Sequence, residues 1–392
     1  AIGRQCLYAN TTASYNTATG FGALRLNTTG SYNTASGSYS LYSNTTSSGN
    51  VASGYYSLHL NTTGGNNVAT GYYALYANTT ASNNTAVGYT ALDANTTGAS
   101  NNALGAYALT SNTTGSQNVA IGESALYTNN TASQNNAVGI QALQNNTTGA
   151  NNNSMGYQAM MFNTTASNNT AIGDKALKYN TTGANNVAVG SLTLDASTTA
   201  TGNTAVGQGA MSGTTTGASN VAVGLSALYS NTTGGNNLAT GYSAMFANTT
   251  GSYNTAVGQG ALTANTTGQY NTALGRQALV SSTTADRNVS VGYVSMYSNT
   301  TGTRNTATGM NSLYLSTTAS DNSAFGYAAL QQNTTGSNST AIGKDALLNN
   351  TTGAQNVAVG RSALKSNTTA SSNVAVGAYA LQSTTTGTNN VA

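Results

Sequence analysis

The sequence predicts an all-β fold, a parallel β-solenoid (β-roll) of 17-residue coils. Glycine recurs every 17 residues from Gly3 to Gly377, 23 times without insertion or deletion. A period held this strictly is typical of a solenoid in which each repeat forms one coil. The unit is also rich in Asn, Gly and β-branched residues, all unfavourable in helices. About 23 coils are therefore expected.

The length and composition of the chain limit its domain organisation and the kinds of partner it can have. Residues 1–392 are expected to form one continuous repeat domain, a fragment of a longer chain because both ends fall within a unit. The Asn, Thr, Gly and Ser content is also typical of disordered low-complexity chains, but disorder would not preserve the phase of the repeat. Only 4% of residues are charged and the net charge is +3, which argues against nucleic acid as a partner. No apolar run is long enough to span a membrane.

Numbering each unit from its glycine shows which positions the geometry restricts. We expect a glycine corner at position 1, strands at positions 14–17 and near 3–7, and an Asn-Thr-Thr turn at 8–10. Leu or Met at position 5 and Ala at position 16 are expected to point inward, because these positions vary least. Asn at position 14 is expected to stack in an amide ladder. Representative residues are Gly71, Gly88, Gly105 and Gly122 (corner), Leu75, Leu92, Ala86 and Ala103 (core), and Asn84, Asn101 and Asn118 (ladder).

The bulky and charged residues occupy a different set of positions. All 24 tyrosines lie at positions 2, 3, 6, 7 or 13, and all charges lie at positions 2, 3, 6, 12 or 13, which should face solvent. Positions 4, 5, 15, 16 and 17 carry neither, so they are expected to be withheld from water. Since successive strand residues face opposite sides, one apolar face can fill the coil and the other should meet a neighbouring chain. This pattern predicts a homo-oligomer or filament.

Enzymatic chemistry is not expected. His59 is the one histidine, at a position where other units carry Tyr, Asp, Lys or Gln, so it is interpreted as a surface substitution. The seven acidic residues are dispersed along the chain, and a uniform stack of coils offers no cleft. The unit lacks the repeated Asp of calcium-binding β-rolls, and its glycines do not precede a helix as in phosphate-binding loops. No catalytic, cofactor or metal site is predicted.

Two surface features have functional interpretations. Position 8 begins an Asn-x-Thr sequon in 18 units, which would be glycosylated in a suitable compartment or would simply favour the turn. Tyrosines also form an interrupted exposed stripe, with Tyr55, Tyr72 and Tyr89 one coil apart. Such rows could bind cell-surface glycans or neighbouring chains, or could reflect only the strand propensity of Tyr.

The segment Asn185–Gly190, NNVAVG, resembles the NSVAIG-type motif in the head repeats of trimeric autotransporter adhesins of the YadA kind. Near copies end at Gly122 and Gly360, and similar repeats occur in tail-fibre-like proteins of phages and marine bacteria. The resemblance implies a left-handed roll, three chains side by side, and display outside the cell. These coils are longer than the usual head repeat.

Together these features predict a structural extracellular fibre or stalk on a cell or virion surface, without enzymatic activity. The alternative is an adhesin or tail-fibre shaft whose Tyr and Asn surface binds glycans or receptors. A more remote alternative is ice binding by an outward Thr grid, against which position 15 is Thr in fewer than half the units.

Overall fold

A computed structural model describes all 392 residues and contains 22 strands of three residues each. It confirms the predicted all-β solenoid with a 17-residue spacing. Chain contacts divide it into two compact units, residues 1–200 and 201–392, each a stack of parallel strands. The prediction of one continuous domain stays a prediction. The structure has no helix that could cross a membrane.

The strands of the first unit are β1 Thr17–Thr19, β2 Thr34–Ser36, β3 Val51–Ser53, β4 Val68–Thr70, β5 Thr85–Val87, β6 Asn102–Leu104, β7 Val119–Ile121, β8 Asn136–Val138, β9 Asn153–Met155, β10 Thr170–Ile172 and β11 Val187–Val189. Those of the second unit are β12 Thr204–Val206, β13 Val221–Val223, β14 Leu238–Thr240, β15 Thr255–Val257, β16 Thr272–Leu274, β17 Val289–Val291, β18 Thr306–Thr308, β19 Ser323–Phe325, β20 Thr340–Ile342, β21 Val357–Val359 and β22 Val374–Val376.

Within each unit, consecutive strands pair in parallel with a register of one repeat, as in Ala86 opposite Ala103 in β5 and β6. The middle residue of every strand, position 16, is buried, and the flanking residues at positions 15 and 17 face outward and are half-buried or exposed. The expectation that positions 15 and 17 are withheld from water is therefore wrong for the single chain. The reason is the alternation of side chains along a strand, which sends only position 16 inward.

The expected second strand near positions 3–7 is also wrong, because this segment is a turn with left-handed residues. Tyr73 at position 3 has φ 56° and Leu75 at position 5 has φ 53°, and the same sign recurs at these positions along the chain. Left-handed backbone cannot form a regular strand. The segment nevertheless links neighbouring coils, since the N–H of Leu75 donates to Ala91 and that of Tyr73 donates to Tyr55.

Left-handed backbone contributes to the restriction at position 5, whereas the left-handed position 3 carries Thr90 and Val294 at φ 47°. Leu or Met occupies position 5 in all 23 units, and Val, Ile and Thr never do. A β-branched side chain is strained at positive φ, whereas Leu and Met are tolerated there and fill the coil interior. Leu75 and Leu92 are fully buried, as are Ala86 at position 16 and Ala103 next to it in the stack.

The glycine corner is restricted by backbone contact between coils as well as by φ. Gly71 has φ 136°, and a Cβ built on it would lie 2.3 Å from the carbonyl oxygen of Gly88. Gly88, Gly105 and Gly122 share this environment, with φ between 130° and 140° and the nearest backbone atom of the next corner at 2.4–2.6 Å. A side chain at position 1 would therefore separate adjacent coils.

Two columns of buried asparagine side chains run through the coils and confirm the Asn ladder. At position 14, Asn84 Oδ1 accepts from the backbone N–H of Asn101 at 2.9 Å, and Asn101 Oδ1 accepts from that of Asn118 at 3.0 Å. At position 8, Asn78 Nδ2 donates to Asn61 Oδ1 at 2.8 Å and to the carbonyl of Ala81 at 2.9 Å. These bonds satisfy polar groups whose burial would otherwise be costly.

The position 8 ladder also bears on the Asn-x-Thr sequons. Asn78 and Asn95 are fully buried, and both protons of each side-chain amide are used in hydrogen bonds. A sugar attached to that nitrogen would have to displace the ladder from the coil interior. The Asn-Thr-Thr sequence therefore serves the turn and the ladder in the folded chain.

Candidate binding surface

The three tyrosines singled out from the sequence form a column at position 2. Tyr55 and Tyr72 have ring centroids 5.6 Å apart at 20°, and Tyr72 and Tyr89 lie 5.4 Å apart at 7°. Their exposed fractions are 43%, 46% and 48%. The structure therefore brings all three together in one row on the surface.

Two further aromatic columns lie beside this row. Tyr39, Tyr56 and Tyr73 stack at position 3, with centroids 5.0 Å and 5.3 Å apart. At position 6, Tyr42, His59 and Tyr76 stack at 5.1 Å and 5.5 Å. Contacts between columns join them, as between Tyr55 and Tyr56 at 4.4 Å and between Tyr73 and Tyr76 at 4.9 Å. We call these nine residues, Tyr39, Tyr42, Tyr55, Tyr56, His59, Tyr72, Tyr73, Tyr76 and Tyr89, the aromatic patch.

His59 lies at the centre of the patch and is half-buried among tyrosines, and its interpretation as a surface substitution stays a prediction. Its Nδ1 lies 2.9 Å from the carbonyl oxygen of Tyr39. Because a carbonyl only accepts, Nδ1 carries the proton and Nε2 is left as an acceptor. Burial lowers the pKa of His59, and the bond to Tyr39 opposes this shift in part. The imidazole is therefore neutral at neutral pH.

Two phenols of the patch have raised pKa values. Burial raises the pKa of Tyr56, with a smaller contribution from Tyr55, and burial together with neighbouring groups raises the pKa of Tyr73. The phenols of Tyr56 and Tyr73 therefore present hydroxyl groups that can both donate and accept a hydrogen bond.

Polar groups without partners border the patch. Arg25, in the position 6 column before Tyr42, donates through an Nη to the Tyr42 hydroxyl, but its buried Nε has no partner. Beyond Tyr73 and Tyr76, the buried Thr90 Oγ1 and Asp93 Oδ1 are also without partners. Burial raises the pKa of Asp93, as expected for a carboxylate without compensating donors.

The other unpartnered buried side-chain atoms have a different origin, because all of them lie at position 8. Asn180, Asn265, Asn299 and Asn367 each precede a coil in which Ser or Thr replaces the asparagine that would donate to their Oδ1. Outside the ladder, the unsatisfied side chains of the whole chain are thus the three at the border of the patch.

A second surface is formed by the outward residues of the strands. Position 17 carries apolar residues in most coils, for example Ile121, Ile172 and Val206, and each of these is more than a third exposed. Thr or Val predominates at position 15. Neither position carries a charge or a tyrosine in any coil. We call this surface, positions 15 and 17 of the strands within each unit, the outward strand face.

Sequence reasoning identified one column of the aromatic patch and missed the other two. The signal was present, since aligning the units at 17 residues places Tyr or His at positions 2, 3 and 6 of the coils 54–70 and 71–87 together. The unpartnered border groups could not be found in this way, because they depend on side-chain packing. No group of three His, Cys, Asp or Glu side chains is placed to hold a metal ion.

The fold and its surfaces place the chain in the class of parallel β-solenoid repeat proteins. Comparison with models of known protein families finds no match, and a search of curated proteins finds none either. The repeat geometry and the two surfaces are therefore the basis for the functional argument.

Proposed function

We propose that this protein is a structural, non-enzymatic fibre element that associates with copies of itself through the outward strand face. The observation that carries the proposal is the segregation of residue types over the exposed surface. Charges and tyrosines occupy the turns, and the outward strand face carries mostly apolar or Thr side chains, half-buried or exposed, with Asn or Ser at a few positions such as Asn102 and Ser36. A repeated apolar face without charges is typical of a surface buried in an assembly.

The partner that best matches the outward strand face is a second copy of this chain. The face repeats with the coil spacing, so an identical chain laid alongside can match it coil by coil, with the same contacts made many times. Individual contacts between Val, Ile and Thr side chains are weak, but burial of this surface adds about 25 cal/mol per Å². Three chains side by side and a location outside the cell are proposed on the resemblance of the NNVAVG-type repeats.

The hydrogen bonds between neighbouring coils support a mechanical role as a fibre element. Within each unit, neighbouring coils are joined by backbone hydrogen bonds at several positions and, in most coils, by both asparagine columns. Nearest-neighbour bonding of this kind makes stability accumulate along the repeat. The fibre element is thereby stiffened without any charged network.

The experiment that tests this proposal is sedimentation equilibrium of the full chain and two variants. Val206→Lys/Val257→Lys places charges on the outward strand face, where both residues are 37% exposed. Gln208→Lys/Gln259→Lys places the same charges two residues later, at position 2, where Lys344 occurs naturally.

We expect a trimer mass for the unmodified chain and for the position 2 variant, and a shift toward the monomer for the strand variant. Circular dichroism should show the same β signature for all three. A monomer for the unmodified chain, or equal dissociation of both variants, would overturn the proposal.

A further inference from the structure

We propose that the aromatic patch is a binding site for a neutral linear glycan that lies along the direction in which the coils stack. This goes beyond the structural role, because the patch is not part of the outward strand face. The fold does not require aromatic residues at the positions that form the patch. Positions 2, 3 and 6 tolerate Glu123, Ser124 and Asp195 in other coils, and yet eight of the 24 tyrosines and the one histidine fall between residues 39 and 89.

The ring geometry leaves aromatic surface open. Parallel rings in full contact would lie about 3.5 Å apart. The 5.4 Å between Tyr72 and Tyr89, at 7°, therefore means that these rings are offset or separated, and part of each face is uncovered. The tyrosines of the position 2 column are exposed, whereas the rings at positions 3 and 6 are half-buried beside them.

The chemistry of the patch selects the ligand class. The patch contains no Asp, Glu, Lys or Arg side chain, and the flanking charges are one cation, Arg25, and one anion, Asp93. A polyanion such as nucleic acid would meet no basic surface here. The aliphatic surface that a lipid would need is missing from the patch, which consists of phenols and one imidazole.

A glycan can use both the aromatic surface and the hydrogen-bonding groups of the patch. The axial C–H groups of a pyranose pack against aromatic faces, and its hydroxyls bond to phenols, the His59 acceptor and planar charged side chains. The unpartnered Arg25 Nε, Thr90 Oγ1 and Asp93 Oδ1 lie at the two ends of the patch, where they can bond to hydroxyls of the bound chain after side-chain adjustment.

The repeat distance selects a linear chain. Rings recur in the columns every 5.0 to 5.6 Å. An extended chain of equatorially linked pyranoses advances by about one ring width per sugar, which is comparable with this spacing. The three coils of the position 2 column therefore correspond to about three consecutive sugars, one for each of Tyr55, Tyr72 and Tyr89.

The test uses affinity electrophoresis of the full chain through gels that contain hydroxyethylcellulose, with polygalacturonate as the anionic comparison and plain gel as the reference. The patch variant is Tyr55→Ser/Tyr72→Ser/Tyr89→Ser, and Ser occurs naturally at this position as Ser38.

The matched control is Tyr157→Ser/Tyr242→Ser/Tyr327→Ser. These position 2 tyrosines are exposed to similar fractions, 47%, 54% and 48%, but do not contact another aromatic ring. Loss of three aromatic contacts should weaken binding by roughly tenfold or more in the patch variant.

We expect hydroxyethylcellulose to retard the unmodified chain and the control variant, and the patch variant to migrate as in plain gel. Unretarded migration of the unmodified chain in hydroxyethylcellulose would overturn the proposal, as would retardation by polygalacturonate alone or equal loss of retention in both variants. Sedimentation measures the oligomeric state of each variant and circular dichroism measures its fold, so a change in either is distinguished from a loss of glycan binding.

Discussion

Substitution of a corner glycine tests how closely the coils are stacked. In Gly71→Ala the new Cβ would lie 2.3 Å from the Gly88 carbonyl oxygen. Real Cβ contacts are not shorter than 3.0 Å, so the two corners must separate by about 0.7 Å. The bonds Gly88 N–H to Thr70 and Thr90 N–H to Tyr72, at 2.9 and 3.0 Å, would then exceed hydrogen-bond length.

The expected cost follows from these two effects. A non-glycine residue held at φ 136° costs about 2 kcal/mol, and two lost backbone hydrogen bonds cost about 1 kcal/mol each. Gly71→Ala should therefore lower the free energy of opening at this corner by about 4 kcal/mol. Native-state hydrogen exchange at the amides of Leu75 and Thr85, which keep their bonds to Ala91 and Asn101 in the next coil, measures that free energy.

Two control substitutions separate the clash from backbone strain. Gly377→Ala has nearly the same φ, 134°, but its Cβ meets no atom closer than 4.0 Å, so it should cost only about 2 kcal/mol. Gly260→Ala has φ 66° and an ordinary 3.4 Å contact, and Ala328 occupies the equivalent position in another coil, so it should cost below about 1 kcal/mol. If Gly71→Ala were no more destabilising than Gly377→Ala, the argument from coil contact would be refuted.

Four further predictions concern the interior and the patch. Ser282→Asn should restore a donor to the unpartnered Asn265 Oδ1 and raise the free energy of unfolding by about 1 kcal/mol, measured by denaturant titration; no gain would contradict the ladder. Leu92→Ile should cost at least about 1 kcal/mol more than Leu92→Met, because a β-branched residue is strained at φ 55°; equal costs would refute this explanation of position 5. Because the pKa of His59 is lowered in the folded chain, the unfolded chain binds more protons once the pH falls below about 6.5. The free energy of unfolding should therefore decrease as the pH drops from 6.5 toward the folded-state pKa. His59→Gln should remove this pH dependence. The raised pKa of Asp93 acts in the opposite direction above 3.8, so Asp93→Asn should stabilise the chain at pH 7, and thermal unfolding against pH checks both signs.

The sequence predicted the features that every coil must share. A strict period forces identical coils into register, so the coil length, the strand near positions 14–17, the inward position 16 and the Asn ladder could be inferred by comparing units. Backbone conformation at positions 2–7 could not, because the residues there are compatible with both a strand and a turn. The restriction of position 5 to Leu and Met is a signal for left-handed backbone, but in the sequence alone it is equally compatible with hydrophobic burial.

The candidate site was predicted less completely, for a physical reason. Tyr55, Tyr72 and Tyr89 stack because equivalent positions stack in any solenoid. Contacts between different columns depend instead on how the turn orients positions 2, 3 and 6 relative to one another. The burial of His59 among tyrosines and the unpartnered oxygen of Asp93 follow from that turn.

The most direct test of the account is the mass per unit length of the native particle, measured by scanning transmission electron microscopy. A chain of 392 residues and 39.2 kDa gives about 1.7 kDa per coil. At the parallel-strand spacing of ~4.8 Å, one chain then corresponds to about 3.5 kDa per nanometre. We predict about three times this value, with the outward strand face buried between chains. A value near that of one chain would contradict self-association and would return the outward strand face to consideration as a surface for ice or another flat ligand.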